Sequence, residues 1–271
     1  MAEITLSAAV RSNLLALQQT SDLINRTSAR LSTGLAVNSP VDDAKAFFEA
    51  KGLSDRASTI NEKKDGIDQA ISSVSVALEA VNAIDSIIEQ IKGVVNSAAS
   101  AATAAEFTEL NAQYATLVTQ IDNLTSDATY QGVNLINGTG TTLTVYFSNT
   151  TTSQLSIASV DLRQTGLGVT TTATLSQATS RATAITLLDA AIATLDAKAK
   201  TLGSNVALLQ TRLDFSAAYA NELQAGADKL VLANITEEGA NLVALQTRQQ
   251  LGISSLSFAG NSEQLILSLF R

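Results

Sequence analysis

The chain has no histidine, no cysteine and no tryptophan, and only one proline among its 271 residues. Without His or Cys it cannot build imidazole general bases, thiolate nucleophiles, Cys/His zinc centres or disulfide scaffolds. The carboxylate pairs Asp42–Asp43 and Glu237–Glu238 are sequence neighbours, which suits helix starts better than acid–base work. No catalytic residue, metal site or cofactor is expected. The net charge is −8 with no dense Lys/Arg run, which argues against nucleic acid and an anionic membrane as partners. No apolar run approaches the roughly 18–20 residues of a membrane span, and the opening "MAEITLSAAVRSN" lacks the basic-then-apolar order of a cleaved signal peptide. An apolar content of 45% is nevertheless enough for a large core.

What the sequence does have is a seven-residue apolar repeat. In the first arm Val10, Leu17, Ile24 and Leu31 mark one seam, with Leu14, Ser21 and Ser28 beside it. Further on, Leu53, Ile60, Ile67, Val74, Val81, Ile88 and Val95 recur without a break, and Ala57, Ile71 and Leu78 partly fill a second row that Lys64, Asp85 and Lys92 interrupt. Ile84, Ile87, Ile91 and Val94 then continue the stripe, as expected for a helix whose period is nearer 3.6 than 3.5. A helix from Pro40 to Ser100 would be about 90 Å long. Phe107, Tyr114 and Ile121, with Leu110, Leu117 and Leu124, predict a return helix. The longest seam is Leu188, Leu195, Leu202, Leu209, Leu223 and Leu230, broken only by Ser216. Such stripes require partner helices, so the two chain halves are expected to pack together. The fold class is mainly α: a long antiparallel coiled-coil bundle made from both chain ends, with a small β-hairpin insert.

Residues 130–176 carry that insert, rich in Thr, Ser, Asn and Gly, with Leu143, Val145 and Phe147 alternating with polar neighbours. The stretch "RLSTGLAVNSPVDDA", Arg30 to Ala44, reads as punctuation between helices. Gly34 stops the first helix; Ser39 caps the next, Pro40 opens it, Asp42 completes a Ser-x-x-Asp box, and Asp43 faces the positive helix end.

The same stretch resembles a bacterial flagellin signature, in which Arg-Leu-Ser-x-Gly-Leu is followed by Asn-Ser and paired aspartates. "ATYQGVNLING" at 128–138 resembles the flagellin segment leading into the surface-exposed part, and the C-terminal region from "LDFSAAYANELQ" onward resembles that of flagellins. The resemblance implies an extracellular subunit, exported through the flagellar channel, that polymerises into the swimming filament. Its implied partners are itself, flagellar cap and hook-associated junction proteins, and an export chaperone at the C-terminal region. It also implies three segments. Residues 1–40 and 232–271 would be paired arms of an inner helical layer, and 41–231 a rod-like helical part containing the insert. Gly34, Asn38, Ser39, Pro40, Asp42 and Asp43 would be the hinge between layers. Only about 45 residues separate the helical blocks, so the large outer domains of longer flagellins have no room.

The arms carry the expected intersubunit contacts: Val10, Leu14, Leu17, Ile24, Arg30 and Leu31 at one end, and Leu242, Leu245, Leu256, Leu267, Leu269, Phe270 and Arg271 at the other, with Leu251 and Ile253 adding apolar surface. Exposed stripes of this kind want neighbours, and contacts that do not close generate a filament. "IEQIKGV", Ile88 to Val94, is a degenerate match to the flagellin segment recognised by an innate immune receptor. Around Glu89, Gln90 and Lys92 replace its arginines and Gly93 its glutamate, so weak or no receptor activation is expected. Two alternatives are a hook–filament junction protein, which shares the terminal helices, and a cytoplasmic coiled-coil signalling module, which has similar heptads but no Thr-rich insert.

Overall fold

The computed structural model describes residues 8–269 except 151 and 173, with side chains for all of these except residues 9 and 263–269. Helix α1 spans Ala8–Thr33, α2 Ala44–Ser97 and α3 Ala104–Asp127. Four short strands follow: β1 (Thr129–Tyr130), β2 (Val133–Asn134), β3 (Thr142–Tyr146) and β4 (Gln154–Ala158). The one-turn α4 (Gln164–Leu167) leads to α5 (Ala178–Val231) and α6 (Ile235–Leu269). The fold is mainly helical, with long helices from both chain ends and small antiparallel strand pairs in the middle.

The chain packs as two compact units, Met1–Arg56 with Glu222–Arg271, and Ala57–Asn221. Their limits fall inside α2 and α5, each a helix of 54 residues.

In the first unit α1 packs along α6. The α1 seam follows the expected Val10, Leu17, Ile24 and Leu31, but its second row is not Leu14, Ser21 and Ser28. Thr20 and Thr27, three residues after the first row, are the buried ones, and Leu14 faces out. A small hydroxyl fits a narrow helix contact when it bonds its own backbone, and the Thr20 hydroxyl donates to the Ala16 carbonyl at 2.8 Å. On α6 the half-buried positions are Gly239, Leu242, Leu245, Gln249, Gly252, Leu256 and Ala259, stepping by three and four residues. A side chain at Gly252 would press on Leu17, so the helices approach closely there.

The second unit has one continuous core drawn from α2, α3, α5 and the strand segment. Ile67, Val74, Val81, Ile88 and Val95 are buried as the repeat predicts, and the companion row is Ala70, Ala77, Ile84, Ile91 and Ala98 rather than Ile71 and Leu78. Small alanines permit close helix approach, leaving the larger Ile71 and Leu78 to pack at the flank. On α3 the buried face is Tyr114, Val118, Ile121 and Thr125, and on α5 the leucines 188, 195, 202 and 209 and Ser216. One stretch of α2 is long and apolar enough by composition to cross a membrane. Val74, Val81, Ile84 and Ile88 are occupied in the protein core.

The expected hairpin is β3 with β4, antiparallel, placing Leu143 opposite Ile157 and Val145 opposite Leu155. Val145, Phe147 and Ile157 turn to the core. The guanidinium of Arg212 lies 4.9 Å from the Phe147 ring centre, a cation–π contact from α5. A second, unforeseen hairpin pairs β1 with β2 through Gln131 and Gly132, both at positive φ (49° and 79°), as a two-residue hairpin turn requires. It delivers Asn134 to the core. The Asn134 amide nitrogen donates to the Thr125 carbonyl at 2.7 Å, and its oxygen accepts from the Ile136 and Asn137 amides at 2.9 and 3.0 Å.

Candidate assembly surface and interhelix junction

The junction after α1 begins as the sequence suggests. Gly34 takes φ +73°, and its amide donates to the Arg30 carbonyl at 2.8 Å, so a left-handed residue ends the helix where a Cβ would be strained. The restart differs from expectation. Ser39–Pro40–Val41–Asp42 is a turn, closed by the Asp42 amide donating to the Ser39 carbonyl at 3.1 Å, and α2 starts only at Ala44. Pro40 occupies the second turn position, where its fixed φ is as well suited as at a first helical position. Ser39 is not the cap. Asp43 is, since its carboxylate accepts from the Ala46 amide at 3.0 Å and its carbonyl from the Phe47 amide. The Asp42 carboxylate reaches back instead, accepting from the Ser39 hydroxyl and amide at 3.0 Å and the Asn38 amide at 3.2 Å. Those donors, the Ser39 hydroxyl foremost, hold the Asp42 carboxyl below its usual pKa.

The junction is also double. Leu35 pairs antiparallel with Leu232, between α5 and α6. The Ala36 amide donates to the Val231 carbonyl at 2.7 Å, and the Ala233 amide to the Gly34 carbonyl at 2.9 Å. The two breaks in the helical chain are thus stitched together. Asn234 then caps α6, accepting from the Glu237 amide at 3.4 Å. Beside this, Arg30 Nη1 donates to Glu238 Oε1 at 2.9 Å, with the glutamate side chain only 12% exposed. Arg30, one of the expected intersubunit contacts, has this internal partner.

The other expected contact residues divide in two. Val10 is buried, and Leu17, Ile24, Leu31, Leu242, Leu245 and Leu256 are half-buried, consistent with the seam between α1 and α6. Leu14 is exposed, together with Leu15 and Leu23 on α1 and Val243, Leu251, Ile253 and Phe258 on α6, the last 75% accessible. Leu267 and Leu269 have no described side chain, and Phe270 and Arg271 lie outside the described residues. Leu15, Leu23, Val243 and Phe258 were missed because they lie off the heptad seam, and their being off it is the signal that would have found them.

In the segment Ile88 to Val94, Glu89, Gln90 and Gly93 are exposed. Lys92 is held between Glu89 at 3.2 Å and Asp189 of α5 at 3.0 Å, and these two acids raise its pKa, Asp189 foremost. Asp85, one turn before Glu89, has its Oδ1 buried with no hydrogen-bond partner, and its pKa is raised, first by burial and then by Glu89 and Asp196. Among the described residues no group of three or more acids is placed to hold a metal ion.

The bacterial flagellin N-terminal helical region matches residues 4–141, and the bacterial flagellin C-terminal helical region matches residues 185–270. The chain belongs to the bacterial flagellin family. Similar proteins include Flagellin FljO of Caulobacter vibrioides, 34% identical over 262 residues, covering 95% of this chain and 96% of that protein. A flagellin of Brucella melitensis is 29% identical over 282 residues, with both chains fully covered. The crystal structure of Bacillus cereus flagellin shares the fold, with TM-score 0.50 and 20% identity over 56% of this chain and 88% of that one. This short flagellin is therefore a structural subunit of the extracellular flagellar filament, and self-polymerisation is its function. Its paired arms leave apolar residues facing outward.

Proposed function

We propose that the paired arms, 1–40 with 232–271, form the filament's inner layer, and that 41–231 forms the next layer out. The outward apolar residues of α6, Val243, Leu251, Ile253 and Phe258, carry this reading. A helix with apolar residues on all sides belongs inside an assembly. The junction at Gly34 to Asp43 then connects the layers, and its backbone bonds to Val231 and Ala233 keep both connections in register. Leu14 and the outward residues of α6 contact neighbouring subunits, whereas Leu17, Ile24, Leu31, Leu242, Leu245 and Leu256 hold the arms together. The finer partners are the cap and hook-associated junction proteins at the filament ends, and an export chaperone covering the C-terminal region before assembly. The protein has no catalytic role. Deleting residues 1–30 tests the layer assignment. The truncated chain is expected to remain partly helical and to form no filaments, and normal filaments by electron microscopy would refute it.

A further inference from the structure

The arms differ in charge chemistry from the rest of the chain. In 1–40 and 232–271 every basic residue is an arginine: Arg11, Arg26, Arg30, Arg248 and Arg271, balanced by Glu3, Asp22, Glu237, Glu238 and Glu263. The arms are therefore neutral, and 41–231 holds every lysine together with the whole net charge of −8. Arginine differs from lysine in offering a planar, weakly hydrated fork of donors that fits a carboxylate bidentately.

Helices α1 and α6 bring three of these arginines to one groove of about 330 Å³, lined by Arg26, Arg30, Arg248 and Glu238, with Leu23 and Leu245 alongside. Glu238 takes one Arg30 nitrogen, while Arg30 Nε is buried without a hydrogen-bond partner. Among the described residues Arg26 and Arg248 make no ion pair, although Asp22 lies one turn from Arg26 on the same helix. The groove thus holds three cations against one anion, in a part of the chain with no surplus acid to answer them.

We propose that this groove binds a carboxylate from the acidic 41–231 portion of a second copy of this chain. The proposal rests on the filament reading, since assembly sets many copies side by side. Charge complementarity identifies the occupant: the excess of acid lies wholly in 41–231. The forks of Arg26 and Arg248 fix the approach direction, and the Leu23 rim supplies an apolar contact beside the ion pair. The groove therefore sets the register between neighbours, a task for which nonspecific apolar faces are poorly suited.

The test uses the full chain, elongating from sheared filament seeds, with the critical concentration measured by sedimentation at low and high salt. Arg26→Glu with Arg248→Glu is expected to leave monomer helicity unchanged, because both side chains are exposed. It is expected to raise the critical concentration on the order of tenfold or more, and to reverse the salt dependence. Arg26→Lys with Arg248→Lys keeps charge but loses the fork, and is expected to fall between. Wild-type assembly by the glutamate variant overturns the proposal. If the glutamate variant loses helicity, the lysine variant decides, and its assembling as wild type overturns the fork. Failure of the wild-type chain to extend any seed would instead refute the filament reading itself.

Discussion

Replacing Asn134 by alanine is expected to destabilise the second unit by about 3 kcal/mol, within a range of roughly 2–5. The residue is 4% exposed and bonds four backbone groups at once: the Thr125 carbonyl and, at 3.4 Å, the Ser126 carbonyl near the end of α3, and the Ile136 and Asn137 amides. Thr125 and Ile136 are entirely buried, so water cannot replace the lost partner there. Each such orphaned group costs about 1–3 kcal/mol, and the more accessible Asn137 amide less. Asn111→Ala is the comparison, since among the described residues that side chain accepts one hydrogen bond, from the Leu175 amide at 3.2 Å, and its loss should cost about 1 kcal/mol. The assay is urea unfolding followed by tyrosine fluorescence. With no tryptophan, and with Tyr114, Tyr130, Tyr146 and Tyr219 all in Ala57–Asn221, the signal reports that unit alone. Asn134→Asp supplies a second check. It keeps the acceptor but sets a carboxylate against the Thr125 carbonyl, which raises its folded-state pKa. Its stability should therefore recover as pH falls through that raised value and the proton restores the donor. A loss below about 0.5 kcal/mol in the alanine variant, or an aspartate variant indifferent to pH, would refute the account.

Asp85→Asn should stabilise the same unit at neutral pH by about 0.5 kcal/mol, a small gain because solvent screens much of the charge. The folded-state pKa of Asp85 is raised, so its ionised form is the disfavoured one, and the advantage of the variant should vanish as pH falls through that value. Glu238→Gln breaks the ion pair with Arg30 and should cost about 1 kcal/mol of local stability. Faster hydrogen exchange in α1 and α6, with the second unit unchanged, is the expected readout. Gly34→Val should be strained at φ +73° and cost about 1–2 kcal/mol, seen as earlier proteolytic cutting at the junction. The Ile88 to Val94 segment should activate the innate receptor weakly or not at all in a reporter-cell assay, because the single cation there, Lys92, is held by Glu89 and Asp189.

Periodicity revealed the helices and the first seam of each, because burial of Val, Ile and Leu every seventh residue leaves a pattern that needs no partner to be seen. The second seam was misread twice, in α1 and in α2, for one reason. Seven-residue spacing places Leu14, Ser21 and Ser28 in the α1 row and Ala57, Ile71 and Leu78 in the α2 row, whereas close helix packing buries Thr20, Thr27, Ala70 and Ala77. Size decides a narrow contact, and a hydrophobicity count cannot register it. Gly34 was legible because a helix stop is a local event. The start of α2 was not, since Ser39–Pro40 and Asp43 are rival start signals and the aspartate nearest the apolar run prevails. The stitching of Leu35 to Leu232 and of Arg30 to Glu238 links residues about two hundred positions apart, through backbone groups in the first case, and neither leaves a trace in local sequence. Asn134 looked like one more polar residue in a polar insert, and its role depends on the hairpin turn that buries it.

The outward apolar residues lead to the expectation that assembly is cooperative. Val243, Leu251, Ile253 and Phe258 are each more than half exposed, and burying the remainder is worth about 1–2 kcal/mol apiece. A single pairwise contact covering them gains several kcal/mol, whereas association costs about 4–15 kcal/mol in lost freedom and ordering. Two copies alone would bind weakly. A subunit entering a filament contacts several neighbours while losing its freedom only once, so addition to an existing end is favourable where dimerisation is not. The misread seam belongs to the same logic. Had Leu14 closed the contact between α1 and α6 in place of Thr20 and Thr27, the arms would satisfy one another more fully and leave less for a neighbour to bury. On the proposed arrangement, threonine on the inside and leucine on the outside weaken the single chain and favour the polymer.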